Sequence, residues 1–307
     1  MVSLSGDYCP HQVVPDLRAF GLTPYADDSR FGRQVGFRTP QRTGETLLLL
    51  LHGVGGNASS WSPLLTELCS SGARFPDLLI PDLPGFGQSE NRTSQLRASE
   101  VGGYLLDLAT RLGWSRVHLV GHSMGGFLAL DMASRADPRI TRLLTISGAY
   151  FGIIRTVNHP LSAWRTDRAA AALYASMRWL ARLGGVGTLA MRALANTPFA
   201  NVPLAGLIAS PRELNDSVRR SVLTNLQPRS FALAARNGIA YDAAQRWGRI
   251  TVPTVGIFGT EDHLVPPRDA HEFADALPKA NVTILPGVAH FAHLERPHEV
   301  ARLLSLG

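Results

Sequence analysis

Short runs of apolar residues recur along the chain, at residues 47–51, 77–80, 117–120, 142–146, 254–258 and 282–285. Each is too short for a helix. None alternates strictly with polar residues, as a strand covered on one face would, so they read as strands buried on both faces. Residues 33–38 add a candidate early strand, followed by a turn at 39–44. Helical spacing fills several of the gaps. Over 94–112, Leu96, Val101, Leu105, Leu108 and Leu112 fall three to five residues apart, and 124–136 and 268–277 carry similar patterns. Pro297 is placed to open a last helix running to about residue 304, because proline suits a first helical turn. Strand alternating with helix predicts an α/β fold, a mostly parallel sheet with helices on both faces.

The alternation stops near residue 149 and resumes near 250. Between these points the pattern is helical only, at 169–183, 188–194, 211–223 and 230–241. The chain therefore divides into an irregular lead-in (1–32), a first core segment (33–148), a helical insertion (149–249) and a second core segment (250–307). At 307 residues it is long enough for one large core with an insertion.

Charge follows the same division. The net charge is +6, and 29 of the 30 basic residues are arginine. Residues 150–250 hold 13 arginines against 4 acids, a net of +9, which leaves −3 for the remainder. No basic run, zinc finger or aromatic RNA-binding signature accompanies the arginines, so nucleic acid is not an expected partner. Two cysteines, Cys9 and Cys69, are too few for a disulfide framework or a cysteine zinc site. The longest purely apolar run, 169–175, is far below the ~20 residues of a membrane span. The first ten residues lack a basic stretch followed by an apolar one, so a cytoplasmic location is expected.

The candidate chemistry lies at the ends of the predicted strands. The run 117–120 enters Gly121-His122-Ser123-Met124-Gly125-Gly126, a G-x-S-x-G pattern between a strand and a helix. Such a turn is tight enough to demand glycines on either side of the serine, and it sets Ser123 Oγ beside a helix N-terminus, where negative charge is favoured. A serine nucleophile needs a general base, and the base needs an orienting carboxylate. Past the run 254–258 stand Glu261 and Asp262, and past 282–285 stands His290, with His293 and His298 nearby. His290 is favoured because its strand end shares an edge with the other two, where open α/β sheets carry their sites. Two backbone N–H groups must meet the oxyanion: that of Met124, and one from the glycine-rich loop 52–56, assigned to Val54. The loop lacks the spacing of a phosphate-binding loop, and no cofactor or metal site is expected.

Four motifs stand in one order: LLLLLHGVGG at 47–56, DLPGFGQS at 82–89, GHSMGG at 121–126, and GTEDHLVPP with GVAHFAHLERP, ending at Pro297. With these the chain resembles the α/β-hydrolase superfamily, in its cap-bearing branch of lipases, esterases, lactonases and carbon–carbon hydrolases. The resemblance covers residues 33–307 and is weakest in the insertion. It implies an eight-stranded, mostly parallel sheet, with the insertion as a helical cap. It also implies Ser123, Asp262 and His290 as a triad, choosing Asp262 over Glu261, with Val54 and Met124 at the oxyanion.

A serine esterase acting on an apolar acyl or aromatic ester through an acyl-enzyme is the leading expectation. Lactonase, thioesterase, carbon–carbon hydrolase and cofactor-independent oxidative chemistries on the same fold are alternatives, as is a non-catalytic receptor. In the insertion, Phe151, Trp164, Leu173, Tyr174, Met177, Trp179, Leu189, Met191, Phe199 and Phe231 are the apolar candidates for lining the site. Phe291 joins them from the loop of His290. The positive insertion reads either as a solvated face or as an attractor of an anionic substrate, an acidic carrier protein or a coenzyme A thioester.

Overall fold

A computed structural model describes residues 8–72 and 76–305. The chain order is β1 (Thr23–Ser29), β2 (Gly32–Arg38), β3 (Thr46–Leu51), α1 (Ser62–Ser70), β4 (Asp77–Pro81), α2 (Ala98–Arg111), β5 (Arg116–His122), α3 (Met124–Ala133) and β6 (Ile140–Ile146). The helical stretch follows: α4 (Phe151–Asn158), α5 (Pro160–Thr166), α6 (Arg168–Arg182), α7 (Gly185–Leu194), α8 (Asp216–Thr224), α9 (Pro228–Ala235) and α10 (Ala243–Trp247). The chain then completes the sheet with β7 (Thr254–Gly259), α11 (Pro267–Ala276), β8 (Asn281–Leu285), α12 (Ala292–Glu295) and α13 (Pro297–Ser305).

The eight strands form one sheet in the order β1-β2-β4-β3-β5-β6-β7-β8. The first two pairings, β1 with β2 and β2 with β4, are antiparallel, and all the others are parallel. This is the α/β-hydrolase fold. Central β3 shows why its run is continuously apolar. Leu47, Leu49 and Leu51 join the cluster on one face of the sheet, while Leu48 and Leu50 join that on the other, because successive side chains alternate across a strand. Parallel pairing brings the carboxyl ends of β3, β5, β6, β7 and β8 to one edge.

The lead-in, expected to be irregular, contains a short 3-10 turn (Leu17–Phe20) and all of β1; its first seven residues lie outside the described set. Strand β1 alternates half-buried with exposed positions, but Asp27, Asp28 and a proline disguise the pattern, as is common on an edge strand. Five helices carried no sequence expectation: α1, α4, α5, α10 and α12. All but α1 are eight residues or fewer, too short to display a helical period. The expectation for 211–223 is met only from Asp216, where Asn215 caps α8 by accepting the Ser217 N–H. No described helix is long and apolar enough to cross a membrane.

Two buried carboxylates join the insertion to the sheet. Asp167, at the head of α6, pairs with Arg268 of α11, which also donates to the Thr166 carbonyl at 2.7 Å. Asp269 of α11 accepts the Gly152 N–H of α4 at 3.1 Å, with Arg155 at 3.6 Å. Burial pushes the Asp269 carboxyl up to about 6.

Candidate functional site

Ser123 sits between β5 and α3 at φ +52°, ψ −116°, a conformation an ordinary side chain adopts only under constraint. The constraint is visible on both flanks. A Cβ on Gly121 would run into the Gly125 carbonyl, and one on Gly125 into the Leu51 carbonyl. The turn is pinned further by the Ser123 N–H, which donates to Ile146 at 3.0 Å, and by its carbonyl, which accepts from Phe127 and Ala149. The hydroxyl is thereby held at the carboxyl edge of the sheet.

His290 reaches the same point from the loop after β8. Its Nε2 lies 2.9 Å from Ser123 Oγ, and its Nδ1 lies 2.9 Å from Asp262 Oδ2. The second Asp262 oxygen accepts the Leu264 and Val265 N–H groups at 2.9 and 2.8 Å. Bonded on both oxygens, the carboxylate fixes the proton of His290 on Nδ1 and leaves Nε2 to accept from the serine. All three side chains are buried. Glu261 is exposed, and its carboxylate accepts from the neighbouring Thr260 hydroxyl instead.

The loop 52–56 runs hard against this group. A Cβ on Gly53 would stand 2.8 Å from His122 Nδ1 and 2.9 Å from Ser123 Cβ, so glycine is required for the approach. His52 Nε2 accepts the Leu83 N–H at 2.9 Å, which leaves Nδ1–H to donate to the Gly53 carbonyl at 2.7 Å. The DLPGFGQS segment thus braces the loop through a neutral imidazole, whose pKa burial holds below its ordinary value. Val54 lines the cavity above Ser123, and Met124 opens α3, where first-turn N–H groups have no helical partner.

Three features here were not anticipated from the sequence. Glu295, fully buried in α12, accepts the N–H groups of Ala289 and Phe291, on either side of His290, at 3.2 and 3.1 Å. It also accepts the Ala209 N–H from the insertion at 3.0 Å and the Tyr8 hydroxyl at 2.8 Å. One carboxylate therefore ties the loop of His290 to the insertion and to the lead-in. His122 Nε2–H donates to the His290 carbonyl at 3.0 Å. His293 packs beside His122, with ring centroids 4.4 Å apart and the planes tilted by 49°. Burial, reinforced by the neighbouring imidazoles, holds His122 well below its ordinary pKa and lowers His293 to about 3. An acid embedded in the apolar run after His290 was the available clue to Glu295.

Two lobes open above Ser123, sharing Val54, Leu173 and Leu264. The larger, about 420 Å³, runs between α6, α7 and α8 past Met177, Leu180, Met191, Val222 and Phe291, with His122 and His290 at its floor. The smaller, about 80 Å³, runs toward α4 and α9 past Met124, Phe127, Ile153, Tyr174 and Phe231. Among the described residues lining either lobe, none is Arg, Lys, Asp or Glu. Met177, Phe231 and Phe291 thus face the site, while Phe151, Trp164 and Phe199 do not. Phe151 packs edge-on against Trp247 at 5.2 Å between centroids. Trp164 and Phe199, like Trp179 and Leu189, stand on the outside of the insertion. Its helices are short or amphipathic in a way that composition alone does not orient.

Among curated proteins, an uncharacterized protein of Mycobacterium tuberculosis is 26% identical over 253 residues, spanning 81% of this chain and 71% of its own. A 2-hydroxy-6-oxononadienedioate/2-hydroxy-6-oxononatrienedioate hydrolase of Cupriavidus pinatubonensis is 26% identical over 267 residues, spanning 85% of this chain and 86% of its own. Among solved structures, a carboxylesterase of Bacillus subtilis superposes with a TM-score of 0.69 at 20% identity, over 94% of this chain and 93% of that one. Naproxen esterase from the same organism gives 0.66 at 15%, over 93% and 90%. Residues 46–297 match the family model described as the alpha/beta hydrolase fold. By that match, over most of its length and on the sheet that carries Ser123, the chain belongs to the alpha/beta hydrolase family.

Proposed function

We propose that the protein is a serine hydrolase that cleaves a carboxylic ester of an apolar acyl or aromatic small molecule. The observation that carries this reading is the continuous hydrogen-bonded line from Ser123 Oγ through His290 to Asp262 beneath an apolar two-lobed cavity. His290 Nε2 takes the serine proton as Oγ attacks the ester carbonyl. The N–H groups of Val54 and Met124 receive the oxyanion, and Asp262 stabilises the imidazolium without taking its proton. Collapse of the tetrahedral adduct transfers the proton from His290 to the departing alcohol. Water then repeats the sequence on the acyl-enzyme, with His290 again as base.

The proton donor fixes the direction of binding. The leaving oxygen must meet His290, which borders only the larger lobe, so that lobe takes the alcohol portion and the smaller takes the acyl chain. The relative from Cupriavidus pinatubonensis is named for a dicarboxylate substrate. With no cationic side chain in the lining, that class of substrate has no partner here, and a neutral ester is favoured. Coenzyme A and carrier-bound thioesters, lactones and carbon–carbon cleavage are competing chemistries at the same serine, and a non-catalytic receptor is the competing use of the pocket.

The test is a p-nitrophenyl and naphthyl ester panel together with fluorophosphonate labelling. Turnover of short-acyl esters with bulky apolar alcohols, and an adduct on Ser123, are the expected results. A protein that neither turns over any ester nor takes the label would reduce the site to a binding pocket.

A further inference from the structure

From the outer face of the insertion we infer a second function, docking on an anionic lipid bilayer. Trp164, Trp179, Val186, Leu189, Phe199 and Val202 are each between 48% and 69% exposed, on consecutive elements from α5 to the turn after α7. Soluble monomers seldom show so many large apolar side chains on one stretch of surface without a partner. The spacing is that of a face and not of scatter: Leu183, capping the end of α6, lies four residues after Trp179, and Val186 and Leu189 are three apart on α7.

The charge on the same elements names the partner. Arg165, Arg168, Arg178, Arg182 and Arg192 are exposed, and none makes an ion pair with a described residue. The sole acid between residues 160 and 202, Asp167, is buried against Arg268. Tryptophan and aliphatic side chains interleaved with arginine and free of exposed acid match a headgroup layer, where indole rings sit at the boundary and arginine meets lipid phosphate. A second copy of this chain is disfavoured, because an isologous dimer would set the same five arginines against each other. Val202, three residues past Phe199, is exposed and also lines the larger lobe, so an apolar side chain stands both at the surface and in the cavity wall. A lipid-soluble ester has a path from bilayer to Ser123 that avoids water.

The test is flotation of the full chain with vesicles of phosphatidylglycerol and phosphatidylcholine against vesicles of phosphatidylcholine alone. Binding to the anionic vesicles, weakened by salt, is expected. Arg182→Glu with Arg192→Glu should lower partitioning at least about tenfold, since each basic residue near an anionic surface contributes on the order of 1 kcal/mol. Trp179→Ser with Leu189→Ser should lower it similarly, with turnover of a water-soluble ester unchanged in both variants. Ser123→Ala should bind vesicles as the parent does, so failure of the chemistry and failure of the docking are separable. No binding to either vesicle, or equal binding to both at every salt concentration, overturns the inference. So does a concentration-dependent dimer abolished by Trp179→Ser, which would make the face a contact between copies.

Discussion

The sheet and the insertion treat their apolar side chains differently. Of the ten large apolar side chains exposed among the described residues, nine lie between Leu161 and Ile239, and the tenth is Ile284 on edge strand β8. The insertion also carries the whole positive excess, +9 against −3 elsewhere. In the sheet, β3, β5 and β7 are covered on both faces along most of their length, and Ser123 and Asp262 at their ends are held by backbone bonds. In the insertion, a modest interior cluster around Met177, Leu204 and Val218 leaves much of the surface turned outward. The difference teaches a division of labour. On the proposed function, the core fixes which bond chemistry is available, and the insertion fixes what reaches it.

The largest test of that division sets one residue from each region side by side. Ser123→Ala should cost roughly 10⁴- to 10⁶-fold in ester turnover with the fold intact, as loss of a nucleophile does. Met177→Ala, in the larger lobe, should alter preference among alcohol groups by no more than about 10- to 200-fold. A comparable loss of all activity in both variants, measured as kcat/KM across the ester panel, would erase the distinction. Next in size is the carboxylate: Asp262→Asn should cost on the order of 10⁴-fold in kcat by unsettling the tautomer of His290, and Glu261→Gln almost nothing.

Stability against pH separates the regions in sign. His293, in the core, binds its proton at about 3 when folded and near ~6.5 when unfolded. The unfolded chain therefore holds more protons in that window, and this contribution, full above pH 6.5, is lost as pH falls toward 3. Asp269, at the junction with the insertion, runs the other way: its carboxyl titrates at about 6 when folded and near ~3.9 when unfolded. Its contribution is full below pH 4 and is lost as pH rises to 6. Melting temperatures from pH 3 to 7 should show His293→Gln flattening the acid limb and Asp269→Asn removing the opposing slope, each worth on the order of a few kcal/mol. The smallest effect is expected at Asn215→Ala, which uncaps α8 and should cost about 1 kcal/mol, seen as faster hydrogen exchange in α8 while α3 is unchanged.

What was legible in the sequence follows the same boundary. Strands buried on both faces announce themselves as apolar runs, and the glycines around Ser123 and in the loop 52–56 are dictated by contacts that leave no room for a Cβ. These made the sheet, and the positions that converge at its edge, readable. The edge strand β1 was not, because Pro24, Asp27 and Asp28 break any apolar alternation. Nor were the roles of apolar residues in the insertion: Met177 and Trp179 lie two positions apart on α6, one in the cavity and one outside, and only helix orientation distinguishes them. Glu295 escaped because an acid among apolar residues does not reveal which partners it will meet, here three backbone N–H groups and the Tyr8 hydroxyl.

The 167-residue interval between Ser123 and His290 has a consequence for how the protein comes into being. At ~5–20 residues per second, a ribosome needs roughly ten to thirty seconds to pass from one to the other. During that time Ser123 stands without His290, because β7 and β8 are still to be added beyond β6. On the proposed chemistry, the nascent chain is silent until His290 is in place. In refolding, the return of turnover should keep time with the long-range pairing of β6 with β7, Leu143 against Thr254, which is intrinsically slow, and not with the recovery of helix. On the proposed function, turnover is in this sense a readout of the sheet's completion.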